Sequence, residues 1–206
     1  MVDKEIPDII VGRLPKYLRA LTSMRASGKE TTSSQEMGEY LGISAAQIRK
    51  DLSQFGEFGK QGTGYSIPFL IDQLRTILRV DRVWKMALVG LGDLGHAIAR
   101  YQGFASCGFE ISRIYDNNPK KIGTKIGDLI VRDIDHLEED LSGAGIQVAM
   151  ITTPAGSAQQ VADCLVQAGI KAILNYAPVT LNVPPGVHVQ NIDPVVHLQR
   201  MTYYLE

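Results

Sequence analysis

The segment Gly90-Leu91-Gly92-Asp93-Leu94-Gly95 has the residue types and spacing with which a backbone cradles a pyrophosphate. In a GxGxxG loop the first glycine makes the turn, the second admits the phosphates and the third lets a helix pack closely on a strand. Met86-Ala87-Leu88-Val89 ahead of it is a buried strand by composition, and Leu94, Ala97, Ile98 and Tyr101 behind it recur at helical spacing. Free N–H groups and the dipole at the start of that helix favour an anion. A second strand, 109–115, ends at Asp116, 21 residues beyond Gly95. A carboxylate at this place accepts hydrogen bonds from adenosine ribose hydroxyls and repels a 2′-phosphate. The expected ligand is therefore NAD(H) rather than NADP(H), with Lys120 and Lys121 close enough to soften the preference.

The elements that must hold this loop alternate strand and helix, as in a parallel sheet. Strands are expected at 128–131, 148–152, 172–175 and 187–192, and helices at 134–141 and 158–168. Two strand ends carry polar or proline-rich turns, Thr152-Thr153-Pro154-Ala155 and Asn175-Tyr176-Ala177-Pro178. Open α/β sheets bind ligands at such carboxyl ends. Thr152 and Thr153 are expected near the pyrophosphate or nicotinamide ribose, and 175–178 near the nicotinamide; ordinary strand-end turns satisfy the same residues equally well. A hydride-transfer enzyme needs a substrate pocket and an acid or base beside the cofactor. This sheet consumes nearly everything from 86 to 192. His96, His136, His188 and His197 fall where structural or solvated roles suffice. No nucleophile triad or zinc-ligand spacing occurs, so neither catalytic residues nor a metal site are expected.

Upstream, Leu14, Tyr17, Leu18, Leu21 and Met24 define an amphipathic helix ended by Gly28. Thr31-Thr32-Ser33-Ser34 offers caps for a helix over 34–41, Gly42 a tight turn, and Ser44 the cap of a third helix through Phe55. This helix-turn-helix pattern spans Tyr17 to Gly56. In such modules the last helix enters the major groove with its N-terminal residues on base edges. Gln47 and Arg49 suit bidentate contacts to adenine and guanine, Lys50 a phosphate, and Ser44 and Ser53 lie beside them. Gly56, Gly59, Gly62 and Gly64, with Lys60 and Tyr65, read as a β-hairpin wing whose tip reaches DNA. The order of a phosphate-binding P-loop is absent there. A fourth helix is expected over 68–80.

Composition fits this division. The chain of 206 residues is 45% hydrophobic with a net charge of −1. Residues 1–85 hold 13 Lys and Arg against 10 Asp and Glu, while 86–206 hold 8 against 12. A basic module joined to a mildly acidic one fits nucleic-acid contact at one end. No apolar run approaches a membrane span, no secretory signal is visible, and Cys107 and Cys164 lack redox or metal spacing, so a reducing, cytoplasmic location is expected. After Asp193 comes a helix starting at Pro194, with Val195, Leu198, Met201, Thr202 and Leu205 on one face. It must lie on its own domain or be swapped onto a second subunit, and a homodimer is expected. The architecture expected is α/β: a winged helix-turn-helix domain over 1–80, a Rossmann-type parallel sheet domain over 81–192 and a C-terminal dimerisation helix over 193–206.

Taken together the motifs resemble those of the redox-sensing transcriptional repressors of the Rex family. The resemblance covers nearly the whole chain and is most specific at 44–56, at Gly59-Lys60-Gln61-Gly62-Thr63-Gly64-Tyr65 and at 168–178. It implies a homodimer with swapped C-terminal helices that holds palindromic double-stranded operators when NAD⁺ prevails and leaves them when NADH binds. It implies DNA contacts from Arg49, Lys50 and Lys60, and a switch built from Arg19, Tyr101 and Asp193. Two positions depart from the pattern: Pro194, where many members carry an aromatic or bulky aliphatic residue, and Tyr176, where phenylalanine is more usual. Two other readings of the same chain are a small NAD-dependent oxidoreductase with an N-terminal association module, and a regulator that binds CoA or another nucleotide.

Overall fold

Leu14, Tyr17, Leu21 and Met24 form the buried stripe of helix α2 (Leu14–Ala26), which a short α1 (Asp8–Val11) precedes. The computed structural model describes residues 6–59 and 64–205, and divides the chain into two units between Arg82 and Val83. In the first unit, β1 (Thr31–Thr32) leads into α3 (Ser34–Leu41) and α4 (Ala45–Leu52). Each helix has a serine cap: Ser33 accepts from the Glu36 N–H at 3.1 Å, and Ser44 from the Gln47 N–H at 3.2 Å. Such caps satisfy N–H groups that the helix itself leaves unpaired. Between them Gly42 adopts φ +66, and a Cβ on Gly38 would stand 2.5 Å from the Ile43 carbonyl oxygen. Both glycines are therefore required by the turn. Tyr17, Leu21, Met37, Ile48, Leu70 and Leu74 are sealed in one core, where truncating a leucine to alanine costs about 2–5 kcal/mol.

Two helix ends expected in this unit need correction. The third helix stops at Leu52 rather than Phe55, because the chain leaves through i→i+3 turns and Gly56 at φ +142. The wing strand β2 (Tyr65–Ser66) pairs antiparallel with β1, placed before α3. Residues 60–63, with Lys60 and Gly62, lie outside the described residues. Helix α5 (Ile67–Ile77) ends earlier than Val80. Arg79 takes the left-handed conformation and the Val80 N–H bonds the Arg75 carbonyl, a helix-ending motif usually built on glycine.

The second unit is a seven-stranded sheet in the order β5-β6-β4-β3-β7-β8-β9. Strands β3 (Trp84–Val89), β4 (Phe109–Asp116), β6 (Leu129–Asp133), β7 (Val148–Ile151), β8 (Ala172–Asn175) and β9 (His188–Asn191) are parallel to their neighbours. Only β5 (Lys125–Ile126) runs antiparallel, at the edge. Met86 and Leu88 face one apolar layer with Ile98, Ile114 and Met150. Ala87 and Val89 face the other, with residues of α7 (Leu137–Leu141) and α8 (Ala155–Gln167). A sheet covered on both faces explains why its strands read as continuous apolar runs. Strand order reverses about β3, and there the crevice opens beyond the strand ends.

The hairpin β5–β6, turning on Gly127 at φ +59, replaces the single strand expected at 128–131. The helix expected at 134–141 is a 3₁₀ turn over Ile134–His136, with Asp133 capping the Asp135 N–H at 3.1 Å, followed by α7. Residues 176–187 join β8 to β9 with no helix or strand. Helix α9 (Pro194–Thr202) ends the chain without one buried residue. No helix among the described residues is long and apolar enough to cross a membrane.

Candidate functional site

A cleft of about 1000 Å³ lies over the carboxyl ends of β3 and β7. Gly90, Leu91 and Gly92 form its floor and lead into α6 (Asp93–Ala99). The three glycines differ in what requires them. Gly90 has φ +97, and a Cβ there would stand 2.9 Å from the Thr153 backbone nitrogen. A Cβ on Gly95 would collide with the Gly90 carbonyl oxygen. Gly92 is different: its φ is −70, any side chain could adopt its backbone, and a Cβ would meet nothing. Among the described residues nothing explains glycine at 92.

Asp116 ends β4 and is 5% exposed. Its Oδ2 accepts the Leu91 N–H at 2.6 Å and its Oδ1 the Asn118 N–H at 2.8 Å. Lys121 Nζ lies 3.3 Å from Oδ2 and donates to the Leu91 carbonyl at 2.9 Å. The acid thus fixes the glycine loop besides facing the cleft. Thr152 Oγ1 donates to the Gly90 carbonyl at 2.6 Å, which ties the loop to the end of β7. Thr153 Oγ1 is buried without a hydrogen-bond partner, and an uncompensated hydroxyl is costly.

Of the residues expected here, Gly90, Leu91, Gly92, Leu94, Asp116, Thr152, Thr153, Pro154 and Tyr176 line the cleft. Asp93, Gly95, Asn175, Ala177 and Pro178 do not. Asn175 is fully buried, and its amide donates to the Ala177 and Val179 carbonyls and to Asn191 Oδ1, so it staples the 176–179 loop to β9. The remaining lining was missed. Asn117 and Asn118 come from the loop beyond β4, Ile134 and Asp135 from the 3₁₀ turn beyond β6 and Glu138 from α7. Ser157, Gln160, Val161 and Cys164 share one face of α8, and that helical spacing was the available signal.

The first unit offers a second surface. A groove of about 910 Å³ runs between α4 and the base of the wing, lined by Ser34, Arg49, Ser53, Gly59, Gly64 and Tyr65 among others. Arg49 is exposed and donates to Ser34 Oγ at 2.8 Å; Lys50 is also exposed. Ser44 and Ser53 spend their hydroxyls on the helix itself, as cap and as donor to the Lys50 carbonyl. Gln47 is half-buried and donates to Asp51 at 2.7 Å. Asp51 is fully buried, with Arg13 bonding both its oxygens at 2.6 and 2.7 Å and the Tyr17 hydroxyl at 2.6 Å. Burial is the largest influence on this carboxyl and opposes its charge, but the bonds from Arg13, Tyr17 and Gln47 outweigh it and hold its pKa below the ordinary value.

Of the three residues of the implied switch, Arg19 is exposed on α2. Tyr101 is 61% exposed and packs edge-on against Phe104, with ring centroids 5.0 Å apart. Asp193 caps α9, accepting from the Val195 N–H at 2.9 Å. Val195, Leu198 and Met201 on that helix are each more than half exposed. No group of three metal-ligating side chains occurs among the described residues.

Comparison with known proteins matches both units. A family model described as a CoA binding domain matches residues 81–179, and one described as a putative DNA-binding protein N-terminus matches residues 5–53. The redox-sensing transcriptional repressor Rex of Roseiflexus sp. (strain RS-1) is 51% identical over 98% of this chain and 92% of its own. That of Chloroflexus aurantiacus is 52% identical over 97% of this chain and 94% of its own. Among solved structures, RSP in complex with β-NAD⁺ and operator DNA superposes with a TM-score of 0.92, at 37% identity, covering 98% of this chain and 94% of that one. RSP in complex with β-NADH gives 0.90 at 35% identity, covering 98% and 95%. On these matches across both units, the chain belongs to the Rex family of redox-sensing transcriptional repressors.

Proposed function

We propose that the chain binds palindromic operator DNA through its first unit and NAD(H) in the cleft of its second, and that NADH releases it from DNA. The observation that carries the ligand half is Gly92, a glycine that neither φ nor packing within the chain requires. The pyrophosphate would lie there, with the Asp116 carboxylate beside the ribose. A bound nicotinamide supplies the redox state to be read; the protein contributes recognition and orientation. Asp116, Asp135 and Glu138 outnumber Lys121 around the cleft, and that charge balance disfavours an additional 2′-phosphate. Calorimetric titration tests this: NADH should bind at least tenfold more tightly than NADPH or CoA, and tight CoA binding would favour the nucleotide-regulator reading.

For the DNA half, Arg49 and Lys50 would project from α4 into the major groove and Gln47 would face base edges in its first turn. We assign residues 1–80 to the DNA-binding domain, 81–192 to the nucleotide-binding domain and 193–206 to dimerisation, in a cytoplasmic protein. The exposed apolar face of α9 favours its burial against a second copy. Sedimentation at micromolar concentration should show a dimer; a monomer would remove the two-fold account of the operator.

A further inference from the structure

We propose that the buried Asp51 cluster fixes the Gln47 amide so that it reads adenine at one position of each operator half-site. The inference rests on the operator-binding role proposed above and adds a specificity determinant with a mechanism.

Asp51 lies one helical turn after Gln47 on α4, facing the interior. Its two oxygens receive four donors: Oδ2 takes Arg13 Nε and the Tyr17 hydroxyl, Oδ1 takes Arg13 Nη2 and Gln47 Nε2. A carboxylate offers about four lone-pair sites, so the group is saturated. Ionised, it only accepts. It can therefore hold Gln47 by the amide nitrogen alone, and the amide cannot flip. Burial rules out water as a substitute for Arg13 or Tyr17, because an unpaired buried charge is strongly disfavoured.

The consequence falls on the free edge of Gln47. One N–H is used on Asp51, which leaves one N–H and Oε1; no other side-chain hydrogen bond engages Gln47 among the described residues. Those two atoms are the pair that contacts adenine, Oε1 accepting from N6–H and the N–H donating to N7. Gln47 stands in the first turn of α4, directly after the Ser44 cap. Residues in that turn of a recognition helix approach base edges. A freely rotating glutamine would have to lose rotamer freedom on binding, whereas here the loss has already occurred in folding. Arg13 and Tyr17 touch no base in this scheme; with Asp51 they are positioning residues.

The test uses the full-length protein. Wild type, Gln47→Ala, Asp51→Asn and Tyr17→Phe each select from a random duplex library at fixed salt with NAD⁺ present, and base preference is read position by position. Wild type should enrich a palindrome. Gln47→Ala should lose an adenine preference of about tenfold at one position per half-site, as expected for a lost bidentate contact. Asp51→Asn should weaken preference at that same position and leave the others, the non-specific DNA affinity and the NADH affinity unchanged. Tyr17→Phe, which removes only a hydroxyl, should do so partially, and decides the matter if Asp51→Asn does not fold. If Gln47→Ala leaves every preference intact, or if Asp51→Asn and Tyr17→Phe lower all positions in parallel, the proposal fails while the repressor reading stands. If wild type enriches nothing, both fail.

Discussion

The carboxylate of Asp116 accepts the backbone N–H of Leu91 at 2.6 Å, so the acid that ends β4 ties down the loop that follows β3. Lys121 closes the triangle by donating to the Leu91 carbonyl. Loop position and the proposed ribose recognition thus meet on one side chain. Asp116→Ala removes a hydrogen bond to a charged group, worth about 1.5–3 kcal/mol. NADH affinity should fall about 10- to 100-fold by titration calorimetry, with little change in operator affinity without NADH. An unchanged NADH affinity would show that neither function belongs to Asp116.

The glycines separate folding from ligand approach. Gly95→Ala drives a methyl group into the Gly90 carbonyl, so both stability and NADH binding should suffer. Gly92→Ala meets no atom of the chain and needs no unusual φ, so its melting temperature should stay close to wild type. Its NADH affinity should nevertheless drop at least tenfold, roughly the equivalent of 1.4 kcal/mol. A Gly92→Ala protein that binds NADH normally would place the pyrophosphate elsewhere.

The Asp51 cluster sets a pH window for stability. The Asp51 carboxyl has its pKa lowered on folding, so its contribution is complete above its unfolded value of about 4 and disappears as pH falls through the folded value. Burial first, and then the bond to Asp51, raise the pKa of Tyr17. Its contribution is complete below about pH 10 and disappears as pH rises through the folded value. Urea midpoints across this range should fall at both ends for wild type. Tyr17→Phe should flatten the alkaline decline, and an identical alkaline slope in both proteins would contradict the assignment.

The family resemblance implies a switch that uses Arg19, Tyr101 and Asp193. A ligand shifts such an equilibrium only through its differential affinity for the two states. Arg19→Ala should therefore raise the NADH concentration needed to release operator DNA by about tenfold, a coupling change of roughly 1.4 kcal/mol, while direct NADH affinity changes less. Equal release by wild type and Arg19→Ala would remove Arg19 from the switch.

Much of this was legible in the sequence where a single physical requirement dominates a short stretch. The loop 90–95, the strands on either side and the helix-turn-helix depend on apolar runs, glycines and serine caps that are local. What escaped was set by distant partners. Strand β1 is two threonines, with no apolar run to announce it, and is defined only by pairing with Tyr65 and Ser66. Asp51 follows Lys50 and looks like an ordinary surface charge, yet its ion-pair partner Arg13 lies 38 residues away. Asn175 was expected beside the ligand, and only the loop folding back over it shows that its amide is already used. Ile134, Asp135 and Glu138 line the cleft from a 3₁₀ turn and the start of α7, where their pattern suggested one continuous helix.

In the proposed function, nucleotide redox state controls DNA binding. The direct measurement is operator affinity at one fixed salt concentration, with total nucleotide constant and the NADH to NAD⁺ ratio varied, because affinity changes steeply with salt. Affinity should be highest with NAD⁺ alone and fall at least tenfold as NADH replaces it, and Gly92→Ala should need at least tenfold more nucleotide for the same drop. Operator binding that is indifferent to the ratio would contradict the account.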